Sequence, residues 1–159
     1  MEGTRKQRKL ANDVFKTFCA MLDDKKITYT TSKDKLHINA VFNGDDIPIE
    51  IGVAISPVLQ VAVVISHMPF IVPEDKRDIM AVAVGEANAY MIDGCFEFNY
   101  LTGEINFRIT TDFANSIISK DLLQYVTYTA CTTTDMYNDK FLFITKSDLT
   151  AEQVVKYLH

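Results

Sequence analysis

Between Ile51 and Val72 the chain runs for 22 residues without a formal charge. Such a stretch either spans a bilayer as one helix or passes through a core twice as strands, and it narrows the possible folds more than any other feature. Ser56-Pro57 divides it, and Gln60, His67 and Pro69 interrupt it again. Each half is dense in β-branched residues at period two. Ile47, Ile49, Ile51, Val53 and Ile55 share one face of the first half, and Leu59, Val61, Val63 and Ile65 share one face of the second. Two strands joined by a tight antiparallel turn at Ser56-Pro57-Val58 account for this better than a membrane helix.

The opposite faces of these two strands carry Pro48, Glu50, Gly52 and Ala54 beside Gln60, Ala62, Val64 and Ser66. A solvated sheet face would hold more Lys, Glu and Thr. Small residues instead let another element approach closely, whether a helix, a second subunit or a peptide. Met68 and Phe70 lie in the connection after the second strand, where they are expected to form an exposed apolar patch. The expected partner-contact positions are therefore Gly52, Ala54, Ala62, Val64, Met68 and Phe70.

The rest of the chain supplies helices and further strands. Leu10, Val14, Phe15, Phe18, Cys19 and Leu22 recur at helical spacing over residues 7–22. Strands are expected at 27–31 and 36–42, and Asn43-Gly44-Asp45-Asp46 reads as a hairpin turn in which Asn and Gly accept positive φ. Pro73 opens a helix to about residue 92, with Ile79, Val82, Ala83, Ala87 and Tyr90 on its apolar stripe. Gly85 is expected at a close helix–sheet contact, and Gly94 as the left-handed cap. Phe96, Phe98 and Tyr100 turn through Leu101-Thr102-Gly103 into Ile105, Phe107 and Ile109, a second hairpin. No Gly or Pro occurs from Asn115 onward and no hairpin signal interrupts residues 119–137, which favours a long helix capped by Ser119 despite the threonines and ending between about 138 and 146. Thr150 and Gln153 form a capping box for a last helix within 147–159. The fold class is α+β: an antiparallel sheet with helices packed on it, in the order α-β-β-β-β-α-β-β-α(-α). A single domain covers 1–159, with residues 1–6 as a flexible basic arm.

Charge and chemistry narrow the function. The net charge is −5, and Arg5, Lys6, Arg8 and Lys9 leave 12 basic against 20 acidic residues after residue 10. An acidic body disfavours nucleic acid. Leu10 to Val14 is too polar for a secretory leader. Cys19, Cys95 and Cys131 are odd in number and unspaced for zinc, so they read as free thiols in a reducing cytoplasm. No Walker, G-x-G-x-x-G or G-x-S-x-G motif occurs, and no histidine pair has metal-ligand spacing. His67 could serve as a base near Asp75, but a loop histidine is the simpler reading. Asp23-Asp24 and Asp45-Asp46 are turn residues rather than catalytic pairs. No catalytic residue, metal or cofactor is expected, and the chain is read as not an enzyme.

The stretch from Pro73 to Leu142 resembles the YbjN-like family, described as bacterial sensory transduction regulators. Asn88, Gly94-Cys95-Phe96-Glu97-Phe98, the Thr102-Gly103 turn, Ile105-Asn106-Phe107-Arg108 and Asp135-Met136-Tyr137 carry the resemblance. The chain departs from the family at Asn138-Asp139-Lys140, where relatives often have a proline. The resemblance implies the fold of type III secretion chaperones, which are small, acidic and commonly dimeric, and which bind an extended partner segment without chemistry. The family has no established active site, so no functional residue is carried over.

Residues and resemblance together point to a protein-binding module, a small chaperone-like or regulatory adaptor that docks a protein or peptide on an exposed sheet face and forms a homodimer. The alternative is a small-ligand sensor with a pocket between sheet and helices, in which Arg108 or Glu97 would face the cavity. Neither a nucleic-acid nor a membrane partner is expected.

Overall fold

The computed structural model describes residues 3–45 and 47–159. Four helices and six strands follow one another as α1 (Arg5–Asp24), β1 (Tyr29–Ser32), β2 (His37–Asn43), β3 (Pro48–Ser56), β4 (Val61–His67), a 3-10 turn (Glu74–Lys76), α2 (Arg77–Ala89), β5 (Cys95–Phe98), β6 (Ile105–Asp112), α3 (Lys120–Lys146) and α4 (Ala151–Leu158). The strands form one antiparallel sheet in the order β1-β2-β3-β4-β6-β5. This is the α+β architecture expected. The uncharged stretch is the β3–β4 hairpin and the segment after it, and no described helix is long and apolar enough to cross a membrane.

All helix packing on the sheet is on one face. Ile38, Ile51, Val53, Ile55, Val64 and Phe107 point from the strands into the core, where α1 and α3 lie across the middle and α2 covers β5. From the helices come Phe18, Met21 and Leu22 of α1, Met80 and Ala83 of α2, and Leu123, Phe141 and Ile144 of α3. Alternate residues of the same strands face away from every helix, and none of them is buried.

Local chemistry fixes the ends of the elements. Thr4 caps α1 through a capping box with Gln7, so the helix begins at Arg5. Arg5 and Lys6, expected in an arm, are therefore helical, while Met1 and Glu2 lie outside the described residues. Ser119 caps α3 by accepting from the Leu122 N–H at 3.1 Å. Some threonines of α3 fit a helix by bonding back along it. Thr127 and Thr132 donate to the carbonyls of Leu123 and Tyr128 at 2.7 and 2.8 Å, so these hydroxyls are satisfied within the helix. The helix runs 27 residues to Lys146, where Lys76 Nζ reaches the Ser147 carbonyl at 2.6 Å. The Thr150–Gln153 capping box opens α4 as expected.

Three glycine expectations change. Gly85 lies on the exposed side of α2, and a Cβ there would meet nothing within 4 Å, so no close contact requires it. The core stripe of α2 is Met80, Ala83, Val84 and Ala87, which leaves Val82 and Tyr90 exposed. Helix α2 stops at Ala89, and Gly94 is not its cap. Gly94 enters β5 at φ +77°, where a Cβ would meet Phe107 Cε1 and the Arg108 carbonyl, each at 2.9 Å. In the β2–β3 turn neither Asn43 nor Gly44 has positive φ. Gly44 is needed for space instead, because a Cβ would lie 2.6 Å from the Ile47 carbonyl. Both carboxylate oxygens of Asp135 on α3 accept from the Asp45 N–H at 3.2 Å, tying this turn to the helix layer. The other member of the expected turn, Asp46, lies outside the described residues.

Candidate functional site: the uncovered sheet face

The pairing of β3 with β4 decides which residues face outward. Ile51 lies opposite Ser66, Val53 opposite Val64 and Ile55 opposite Ala62. The core residues of β3 are odd-numbered and those of β4 even-numbered, so the phase of β4 is opposite to the one expected. A shift of one residue exchanges the two faces of a strand. Ala62 and Val64 are consequently 1% exposed and lie under the helices, and they are not contact positions. Met68 has the same parity. It continues the ladder by donating its N–H to the Ile105 carbonyl at 3.0 Å, and its side chain is buried in the core. Phe70 is half-buried against the core in the segment after β4. Of the six expected positions, only Gly52 and Ala54 are brought together on the uncovered face.

The residues that join them are Val61, Val63 and Ile65. Gly52 lies opposite Ile65, Ala54 opposite Val63 and Ser56 opposite Val61, which gives a central apolar strip two strands wide. Val41 of β2 extends it and is 54% exposed. The flanks are polar: His37 and Asn39 on β2, and Asn106, Arg108 and Thr110 on β6. Sequence reasoning missed the three β4 residues because that strand is apolar on both faces, so the alternation carries little contrast. The usable signal was the length of the turn. Four residues, Pro57 to Gln60, separate the strands, and Gln60 takes φ +56° to close the loop.

A groove of about 380 Å³ lies where Gly52 leaves the face without a side chain. Thr30, Asn39, Val41, Glu50 and His67 are among its lining residues. The His67 ring is held at Nδ1 by Asn106 Oδ1 at 2.7 Å, so its partner is an amide rather than Asp75. Arg108 bonds Glu97 Oε1 through Nε at 2.5 Å and Thr110 Oγ1 at 3.1 Å. That pairing raises the Arg108 pKa further, with the hydrogen bond to Glu97 as the main cause. Arg108 and Glu97 thus hold each other on the outer face and do not face an interior cavity, as the sensor reading expected of them.

The buried polar groups without partners lie elsewhere. Ser66 Oγ on β4 and Thr134 Oγ1 and both amide atoms of Asn138 on α3 are buried without a hydrogen bond. Burial, with the Asp135 charge adding to it, pushes the Cys131 thiol up to about 12, and burial also raises Cys19. Among the described residues no group of three or more His, Cys, Asp or Glu is placed to hold a metal ion.

No protein-family model matches the chain, and no curated protein matches it. Neither comparison identifies a YbjN-like family, so that resemblance has no support beyond the residues quoted for it. Several of them meet in space. Asn88 bonds Phe96 at both backbone atoms, Gly94 makes room for Phe107, and Phe96 stacks edge-on against Phe107 and Tyr137 at 5.2 Å each. They hold α2, α3 and the β5–β6 hairpin together, which is a packing role.

Proposed function

We propose that this protein is a non-enzymatic binding module, a chaperone-like or regulatory adaptor of the cytoplasm, and that it docks a protein or peptide partner on the outer face of its sheet. The observation that carries the reading is the strip of Val61, Val63 and Ile65 beside Gly52 and Ala54, which no described helix covers. Val61, Val63 and Ile65 are half-buried on a sheet face that would ordinarily be solvated and polar, and apolar side chains gathered there mark a site of association. The YbjN-like resemblance and its chaperone-type fold support the same reading. A homodimer through this face is the simplest closed assembly it would form.

The test compares the full chain with Val63→Arg, which places a charge in the middle of the strip. Light scattering and affinity capture are run on both, with circular dichroism to confirm the fold. Self-association or a captured partner lost specifically in Val63→Arg supports docking. Equal behaviour of the two proteins overturns it.

The sensor reading rests on a separate observation, the unpartnered Ser66, Thr134 and Asn138 side chains in the interior. Buried polar groups without partners are costly and recur where an occupant satisfies them. A metabolite that raises the unfolding temperature of the wild type but not of Asn138→Leu would favour it.

A further inference from the structure

We propose that the partner segment docks through a lysine or arginine side chain laid over Gly52, with its cationic head on the Glu50 carboxylate. This rests on the docking reading above and adds the chemistry of the anchor.

The space over Gly52 is open. A Cβ built there would meet nothing nearer than Asn39 Oδ1 at 3.8 Å and the Ile65 carbonyl at 4.0 Å. The chain's own packing does not call for a glycine, so the groove is free for an incoming group. Its side wall is apolar. Val41 lies opposite Glu50 across the β2–β3 ladder, where it can flank a methylene stem. Of its polar side chains, Glu50 alone is an acceptor without a donor, and no Lys or Arg lines the groove. Glu50 is exposed, and its carboxylate forms no hydrogen bond or ion pair with any described residue. The arginine of this face, Arg108, is already bonded to Glu97. The groove therefore holds one uncompensated negative charge beside an aliphatic wall, in a chain of net charge −5.

Lys and Arg match both features, since each carries an apolar stem and a charged head. A neutral aromatic anchor would cover the carboxylate without pairing it, and an acidic one would be repelled. A bidentate guanidinium on a carboxylate is the stronger of the two cationic choices.

The experiment selects from random peptides displayed on phage, with the full-length chain immobilised. Enriched peptides are synthesised and titrated by fluorescence anisotropy. The expected result is a shared Lys or Arg whose replacement by Met, like Glu50→Gln in the protein, weakens binding about tenfold or more. Glu50→Lys is expected to restore binding to a peptide whose anchor is changed to Glu. Peptides that bind without a cation, or that tolerate Glu50→Gln within about twofold, overturn the cationic anchor, and the docking reading survives if Val63→Arg still abolishes binding. If binding survives Val63→Arg, or if no peptide is enriched and no dimer forms, the docking reading itself falls. A dimer blocked by Glu50→Lys, with no peptide enriched, assigns the groove to a second copy and overturns the peptide anchor.

Discussion

Asn88 on α2 holds β5 in place with both ends of its side-chain amide: Nδ2 donates to the Phe96 carbonyl at 2.9 Å, and Oδ1 accepts from the Phe96 N–H at 2.7 Å. The amide imitates a neighbouring strand at the sheet edge, where β5 pairs only with β6. Phe96 can then present its ring to Phe107, Tyr137 and Phe141. Asn88→Ala removes both bonds and leaves the Phe96 backbone without its partners, which is expected to cost about 1–3 kcal/mol. Urea denaturation measures it. A loss below about 0.5 kcal/mol would mean that water replaces the clamp.

Gly85 and Gly52 give opposite tests of what a glycine is for. Gly85 is in a helix interior with open space around its Cβ position, so Gly85→Ala is expected to stabilise the protein by about 1 kcal/mol and to leave partner binding unchanged.

Gly52 lies in a strand interior with only ordinary contacts at its Cβ position, so Gly52→Val is also expected to raise stability, by about 0.5–1 kcal/mol. The same substitution fills the groove on the docking face. Thermal unfolding and a binding titration together should show a more stable protein that binds less well, the pattern of a position kept for function rather than for folding.

Stability should fall at alkaline pH. The Cys131 thiol is raised from 9.0 to about 12, chiefly by burial, and the Tyr29 hydroxyl from 10.0 to about 12, by burial and then by its bond to the Asp23 carboxylate. In both cases the folded state keeps a proton that the unfolded state has already released. Their contribution is complete below the unfolded thiol value and is lost as pH rises through the folded one. Urea unfolding from about pH 8 to about pH 11 should show the decline, and Cys131→Ala should flatten it. An unchanged slope in that variant would place the effect on other groups.

The limits of sequence reading are clearest on β4. On β2 and β3 the buried residues Ile38, Ile51, Val53 and Ile55 alternate with polar or small ones, and the expected faces are the observed faces. On β4 the residues Val61 to Ile65 are all apolar or small, so either phase reads plausibly and only the Ile55–Ala62 pairing decides between them. Long-range contacts were equally hidden. The Asp135–Asp45 bond spans 90 positions, and it sets Asp135 beside the Ile47 carbonyl in the crowding at Gly44. The helix caps were legible because Ser119 and Thr150 act on residues within one turn of themselves.

The docking face is tested most directly by methyl NMR of the protein while a selected binding peptide is titrated in. The two faces of β4 carry different methyl groups, so the readout separates them. Val61, Val63 and Ile65 together with Ala54 should shift and broaden, while Ala62 and Val64 on the core side stay nearly still. Perturbation centred instead on methyls of the helix layer would contradict the account.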